Sequence, residues 1–523
     1  MLVFIRKELP FLLLGIAIIV YAIYFSFFTI MRNEKMYAHY FDLGIMHQTV
    51  HNTYMSLRTG DFSRILELTD PHDTDRQVKR MSVHNDILLA FLAPFYFIHD
   101  GPETLLVVQA LGVAMGALFI FLIAEKILRF YNEQPNATFD WIRRSMADKA
   151  GWMGLALGLS YLLYSPLQKA VTFEFHAVTL APTLLLGMYY FWVIKKYIWS
   201  FLFAVFAIFS KEQVGLVTGF FAFYTLMCML SLIPSSIHEV PSKIVKKLLH
   251  DKAQTIYALL LGTFSLIWVV FSLKVIIPGF RGGEHFGSDY YSYISGAPLS
   301  IFPVVFRMES FLYIHQLLSP LGYLSIFAPL QLLIALPEWG VVLLSANGNM
   351  RNIYFHYHAV IDAFIFIAAI YGVNNIANWW KKLTGKNVSF ALLLIYILIP
   401  AVIASYTTST LPWAQKADSF PWSPIPAMVD DMRYWREYLQ NDSIKVSSTG
   451  HLAPHFTSRR YFYDFSWKYT KADYVLIDTH EVQYGFLKKQ TIPAYAQLKG
   501  DKRYVKIYNK DGLEVYKRVL PTI

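Results

Sequence analysis

The run "LPFLLLGIAIIVYAIYFSFFTI", residues 9–30, carries no charged side chain and is long enough to cross the hydrocarbon core of a bilayer as one helix. A run apolar on every face has no polar side to offer water, so it must be surrounded by lipid or by other apolar segments. Comparable runs recur at 104–128, 150–165, 177–194, 198–210, 213–233, 253–277, 357–379 and 388–405. The chain therefore reads as a multi-pass membrane protein, in keeping with a composition that is 55% hydrophobic and only 16% charged. Between 299 and 345, prolines interrupt the apolar sequence and permit two short spans or a re-entrant hairpin, which brings the expectation to about eleven crossings.

Charge placement orients these segments. Arg6 and Lys7 precede the first run, which lacks a small-residue cleavage site, so it reads as an uncleaved anchor with a cytoplasmic N-terminus. Arg129, Arg143, Arg144 and Lys149, then Lys195 and Lys196, then Lys243, Lys246, Lys247 and Lys252 all fall in loops assigned to the inside. The net charge of +10 is thereby explained by topology in the plasma membrane and gives no reason to expect nucleic acid. The single cysteine, Cys228, lies in an apolar run and excludes a disulfide framework or a thiolate metal site.

Two segments depart from simple spans. "NDILLAFLAPFYFIHD", residues 85–100, is too short to cross and contains Pro94, which predicts an interfacial helix within a first outside loop of residues 31–103. From 406 the long apolar runs stop: "VDDMRYWREYLQ" has helical periodicity, and "ADYVLIDTH" and "KRYVKIYN" have strand character. The expected fold is mainly α: a polytopic membrane helix bundle over 1–405, N-terminus inside, with a small soluble α/β domain over 406–523 on the outer face.

The usual signatures of soluble enzymes are missing: there is no Walker loop, no G-x-G-x-x-G after a strand, no G-x-S-x-G and no H-E-x-x-H. Ionisable residues gather instead in the outer loops. Asp42 and His84 lie in the first, Lys169, Glu174 and His176 in the second, Lys211 and Glu212 in the third, and Arg351, His356, His358 and Asp362 at the outer end of a later crossing. Each has a structural explanation by itself: Asp42 as a helix cap, Lys211–Glu212 as an ion pair, His356 and His358 as interfacial rings, Arg351 and Arg281 as lipid-phosphate contacts. Their assembly on one face of the membrane points to a site.

The blocks "FDLGIMHQTVHNTYMSL", "SVHNDILLAFLAPFYFI", "YSPLQKAVTFEFHAVTLAP", "SKEQVGL" and "FHYHAVIDAFIFIAAIYG" resemble a large prokaryotic family of multi-pass proteins of unknown function. The resemblance covers roughly residues 10–400 and extends into "GHLAPHFTSRRYFYDF" and "ADYVLIDTH" of the tail. That family is similar to the GT-C glycosyltransferase superfamily, with oligosaccharyltransferases, protein O-mannosyltransferases and lipid A aminoarabinose transferases. The resemblance implies an inverting transferase with an essential acid in the first outside loop, here Asp42, and a second acidic motif in the next, here Glu174 with His176. It also implies a polyprenyl-phosphate sugar donor at the membrane lipid surface and a glycan, lipid or protein acceptor. Relatives that use a divalent metal often show an Asp-x-Asp pair where this chain has Glu-x-His, so Mg or Mn held by Asp42, Glu174 and His176 is one expectation and a metal-free site the other.

In these terms Asp42, Glu174 and His176 are the candidate catalytic residues, and Arg351 and Lys211 the candidate phosphate ligands. His84, His356 and His358 are candidate substrate contacts, and His451, His455, Arg459 and Arg460 of the tail are candidate acceptor contacts. A lipid or sugar transporter or flippase, and a non-catalytic glycan-binding scaffold, remain the alternatives from sequence; no paired half-sequences of the transporter kind stand out.

Overall fold

The computed structural model describes residues 9–71, 75–129, 148–229, 251–296, 298–415 and 420–519. Arg6, Lys7, Arg143, Arg144, Lys243, Lys246 and Lys247, used above to orient the chain, lie outside the described residues.

Among the described residues, five helices are long and apolar enough to cross a membrane: Leu9–Glu34, Pro102–Leu128, Lys252–Arg281, His356–Thr384 and Phe390–Thr408. Other expected crossings are shorter helices, including Lys149–Leu162, Ala181–Val193, Tyr197–Ile208 and Val214–Met229, of 12 to 16 residues. The helix His356–Thr384 is the axis of the bundle, with 78% of its most apolar window buried, whereas Leu9–Glu34, Lys252–Arg281 and Phe390–Thr408 bury only 22–28% and turn apolar side chains outward. Close packing on that axis depends on Gly372, where an added Cβ would fall 2.0 Å from the backbone oxygen of Leu324.

Polar residues mark the ends of these helices. Asp148 and Asp251 cap Lys149–Leu162 and Lys252–Phe271 by accepting from the backbone N–H groups of Gly151 and Gln254, each at 3.1 Å. Gly385, at φ +72°, closes the axial helix in the left-handed conformation that glycine adopts without strain. The proline-rich stretch around 299–345 breaks into short pieces, among them Met308–Leu318, Pro329–Leu332 and Leu336–Leu343, because each proline removes a donor from the helical ladder.

The segment expected to lie at the interface forms a short helix, Leu88–Leu92, and a 3₁₀ turn, Ala93–Phe97, which buries Leu89, Ala93 and Tyr96 and exposes Phe91, Phe95 and Phe97. That amphipathic division suits a bilayer surface. The first loop also holds an antiparallel pair, β1 (Glu67–Thr69) and β2 (Gln77–Lys79).

The tail folds as expected into a helix, Met428–Tyr438, and a five-stranded sheet in the order β4-β3-β5-β7-β6. Strands β3 (Val446–Ser448), β4 (Phe462–Asp464) and β5 (Tyr474–Asp478) run parallel, and β6 (Tyr504–Lys510) and β7 (Leu513–Arg518) complete the sheet antiparallel. This sheet is not an appendage. Met36, Tyr40, Ile45, Leu68 and Val78 of the first loop share one hydrophobic core with Val446, Phe462, Leu476 and Val515 of the tail. Ion pairs reinforce the junction: Arg64 grips Asp442 at 2.7 and 3.0 Å, and Arg460 grips Glu67 at 2.8 and 3.1 Å.

Candidate active site

The helix Leu9–Glu34 ends in a polar turn and the chain resumes as one wide π turn, Tyr40–Gly44, before the helix Ile45–Thr59. Asp42 sits in that π turn, a backbone form that recurs at functional sites because it turns a side chain out of the helical register. Glu174, in extended backbone just after the helix Ser165–Phe173, holds the turn in place. Its two carboxylate oxygens accept from the backbone N–H groups of His39 at 2.9 Å and Leu43 at 2.7 Å. Two residues on, the His176 ring meets Asp42, Nε2 to Oδ1 at 2.9 Å, and stacks on His356 with centroids 3.8 Å apart. The Glu-x-His pair therefore divides its labour: Glu174 orders the backbone around Asp42, and His176 orders the carboxylate.

The electrostatics separate the two acids. Burial opposes ionisation of Asp42, but the hydrogen bond and charge of His176, with His39 and Arg80 nearby, outweigh it and hold the carboxyl below its ordinary value of 3.8. Burial and then the adjacent Asp42 charge push Glu174 well above the usual carboxylate range. Opposite shifts on neighbouring acids give them different roles at one pH. Glu174→Ala leaves two buried N–H groups without an acceptor, an expected loss of about 1–3 kcal/mol for each. Thermal unfolding of the purified protein in detergent checks this, and Glu174→Gln, which keeps one carbonyl acceptor, should fall between.

Asp42, His176, His356, Arg80, His84 and Lys211 line one cavity of about 190 Å³ at this end of the bundle, with Tyr357 and Phe286 completing its wall. About a third of the Asp42 side chain, 32%, is exposed. Lys211 lies in the turn between Tyr197–Ile208 and Val214–Met229, with Nζ 5.5 Å from the centre of the Tyr357 ring, and makes no ion pair among the described residues. Arg80, by contrast, is buried and held by Asp86 through contacts of 2.8–3.0 Å.

At the rim, Nδ1 of His84 lies 2.9 Å from a Glu212 oxygen and Nε2 of His285 lies 3.4 Å from the same oxygen. Among the described residues this is the one group of three His, Cys, Asp or Glu ligand atoms within 4.8 Å of one another. Burial pushes His84 down to about 4 despite Glu212, so its ring is neutral at physiological pH. Glu212, although buried, is held well below the carboxylate range by His84, His285 and Lys211.

Other expected site residues sit elsewhere. Arg351 does not line the cavity: its guanidinium donates to the carbonyls of Val342, Leu343 and Ser345, the nearest at 2.6 Å, and so caps the helix Leu336–Leu343. His358 pairs with Asp362 at 2.7 Å, both fully buried at the start of the axial helix. His451, His455, Arg459 and Arg460 join the tail to the first loop or to itself: His451 reaches the carbonyl of Ala38, His455 that of Asn33, and Arg459 three carbonyls of its own domain. Sequence reasoning missed Arg80, Asp86, His39 and His285. Arg80 lies two residues before the quoted "SVHND" block and Asp86 is its last residue, and their spacing of six residues was the available signal.

Residues 32–515 match the family model described as "Predicted membrane protein (DUF2079)". The chain belongs to this family. No curated protein matches it. Among solved structures it is similar to ArnT from Cupriavidus metallidurans in the apo state, with a TM-score of 0.50 at 12% identity over 97% of this chain and 98% of that one. It also matches the apo oligosaccharyltransferase of Archaeoglobus fulgidus (TM-score 0.44, 10% identity, 98% of this chain and 75% of that one). A third match is AglB of the same organism in complex with an inhibitory peptide and a dolichol-phosphate (TM-score 0.41, 11% identity, 97% and 74%). The likeness to ArnT runs nearly end to end in both chains and is one of fold: the GT-C type of helix bundle with a small C-terminal α/β domain.

Proposed function

We propose that this family member is a membrane glycosyltransferase that moves a sugar from a polyprenyl-phosphate donor to an acceptor hydroxyl on the outer face of the membrane. The observation that carries the reading is Asp42: an acid in a π turn, clamped through its backbone by Glu174, oriented by His176, and facing a cavity that also holds the cation Lys211. The fold shared with ArnT supports it.

The geometry suits an inverting displacement. The acceptor oxygen attacks the anomeric carbon, and its proton passes to the Asp42 carboxylate. The bond from the anomeric carbon to the phosphate oxygen breaks, and its electron pair leaves on the lipid phosphate. Lys211 stands where it can receive that charge. His176 keeps Asp42 ionised and aimed, and its ring is itself steadied by stacking on His356.

His84, Glu212 and His285 fit a divalent cation better than Asp42, Glu174 and His176 do, because both Glu174 oxygens already accept backbone N–H groups. Two imidazoles and a carboxylate suit Mn or Zn more than Mg, which favours an all-oxygen shell. A cation held there would add charge stabilisation for a phosphate; the chain's own contribution is to orient it beside Lys211.

The alternation of helices between this end and an end carrying Arg129, Lys149, Lys195, Lys196, Lys252, Lys381 and Lys382 supports an outward-facing site and an extracytoplasmic tail. The test is transfer by the purified protein in liposomes, from a panel of radiolabelled polyprenyl-phosphate sugars to cell-envelope extract, with and without chelator. Labelled acceptor is the expected product. Donor retained without turnover, or label moved across the bilayer without transfer, would replace this reading with a scaffold or a flippase.

A further inference from the structure

A second cavity, of about 620 Å³, opens between the tail and the first loop, and Phe41, the residue before Asp42, lines both it and the Asp42 cavity. We propose that this second cavity is the acceptor subsite and that its occupant is a saccharide; the assignment rests on the glycosyl-transfer reading above.

Its position is the first argument. Strands β3, β4 and β5 are parallel, and their carboxyl ends point at the segment that carries Asp42: Tyr40 donates to the Gly450 carbonyl at 3.0 Å, and His39 pairs with Glu481 at 3.5 Å. The crevice at the carboxyl ends of parallel strands is where open α/β sheets place ligands. Asp464, the last residue of β4, lines it there.

Its chemistry is the second. Trp467 is 55% exposed and lines the cavity with Phe41. Gln490 and Gln497, from the helix Lys488–Gly500, share the lining with Asp464 and Ser466. Flat aromatic faces accept the C–H face of a sugar ring, and a carboxylate and carboxamides exchange hydrogen bonds with its hydroxyls. Burial pushes Asp464 up to about 7, and among the described residues it forms no ion pair, although Lys468 and Lys489 line the same cavity. A peptide added as an extra strand fits less well, because the sheet edge at this cavity is β4, three residues long. A cavity of this size admits one or two sugar rings. A ring there lies beside Phe41, one residue from the proposed base.

The test uses the full chain in lipid nanodiscs against an array of neutral, amino and uronic-acid oligosaccharides, with a peptide array beside it. The expected result is retention of at least one saccharide, weakened about tenfold or more by Trp467→Ala and by Asp464→Asn and restored in part by Trp467→Phe. Trp199→Ala, at the opposite end of the bundle, should bind as wild type, and elution volume on gel filtration checks that each variant is folded. Binding that survives in Asp42→Asn but falls in Trp467→Ala supports the subsite even if no transfer is detected, which separates its fate from that of the glycosyl-transfer reading. No saccharide retained at millimolar concentration, retention indifferent to Trp467 and Asp464, or retention of peptides in place of saccharides would overturn the proposal.

Discussion

Asp42→Asn should abolish sugar transfer, by about 100- to 10,000-fold in kcat, while donor binding and the unfolding temperature stay near wild type. The substitution keeps the shape and one oxygen for His176, so the π turn and its Glu174 clamp are undisturbed. What is lost, in the proposed mechanism, is the acceptor of the proton. The pH profile gives an independent reading. The native Asp42 carboxyl is held below its ordinary value of 3.8, so the base is ionised across the neutral range and activity should fall only as the pH drops below that value. His176→Gln removes the imidazole that offsets burial, so the acid limb of kcat/KM should move to higher pH, with the rate reduced at neutrality as well. An acid limb that stays put in His176→Gln would mean that another group titrates.

Lys211→Ala should lower kcat/KM by about 100- to 1,000-fold, the range for removing one donor aimed at charge that develops in a transition state. Lys211 is suited to this role because it is a cation in the Asp42 cavity with no ion pair among the described residues, whereas Arg80 is committed to Asp86. Lys211→Arg should recover part of the loss, since a guanidinium also carries charge but presents it in a wider, planar fork. Arg351→Ala should behave differently: the helix Leu336–Leu343 loses its cap, which lowers the unfolding temperature, while the Lys211 step is not directly touched. Comparing the kinetics of these variants with their melting curves separates charge stabilisation from scaffold damage.

Much of this architecture was legible in the residues. Periodicity and charge placement gave the membrane bundle, the interfacial segment at Leu88–Phe97 and the strands of the tail, because each depends on local patterns that a window of sequence contains. Asp42 and His176 could be paired in advance, since each lies just beyond the end of a helix on the same side of the bundle. The division of Glu174 from His176 could not. Whether a loop carboxylate turns toward a cavity or toward backbone N–H groups depends on how a segment 131 to 135 residues away is folded. Arg351 misled for a related reason: a basic residue at a helix boundary looks the same in sequence whether it faces a phosphate or the carbonyl ends of the preceding helix. Several of the expected crossings are helices of 12 to 16 residues, because a window of apolar sequence shows where a run lies and not where its helix starts and stops.

The core shared by the first loop and the tail also sets an order of events during synthesis. Met36, Tyr40 and Ile45 leave the ribosome early, yet their packing partners Val446, Phe462, Leu476 and Val515 are made near the end. A nascent chain can thus thread its helices into the bilayer long before the turn around Asp42 has anything to rest against. The site is completed only when translation is nearly finished, so a prematurely terminated product would be inserted, inert and marked for removal by the apolar surface it leaves uncovered.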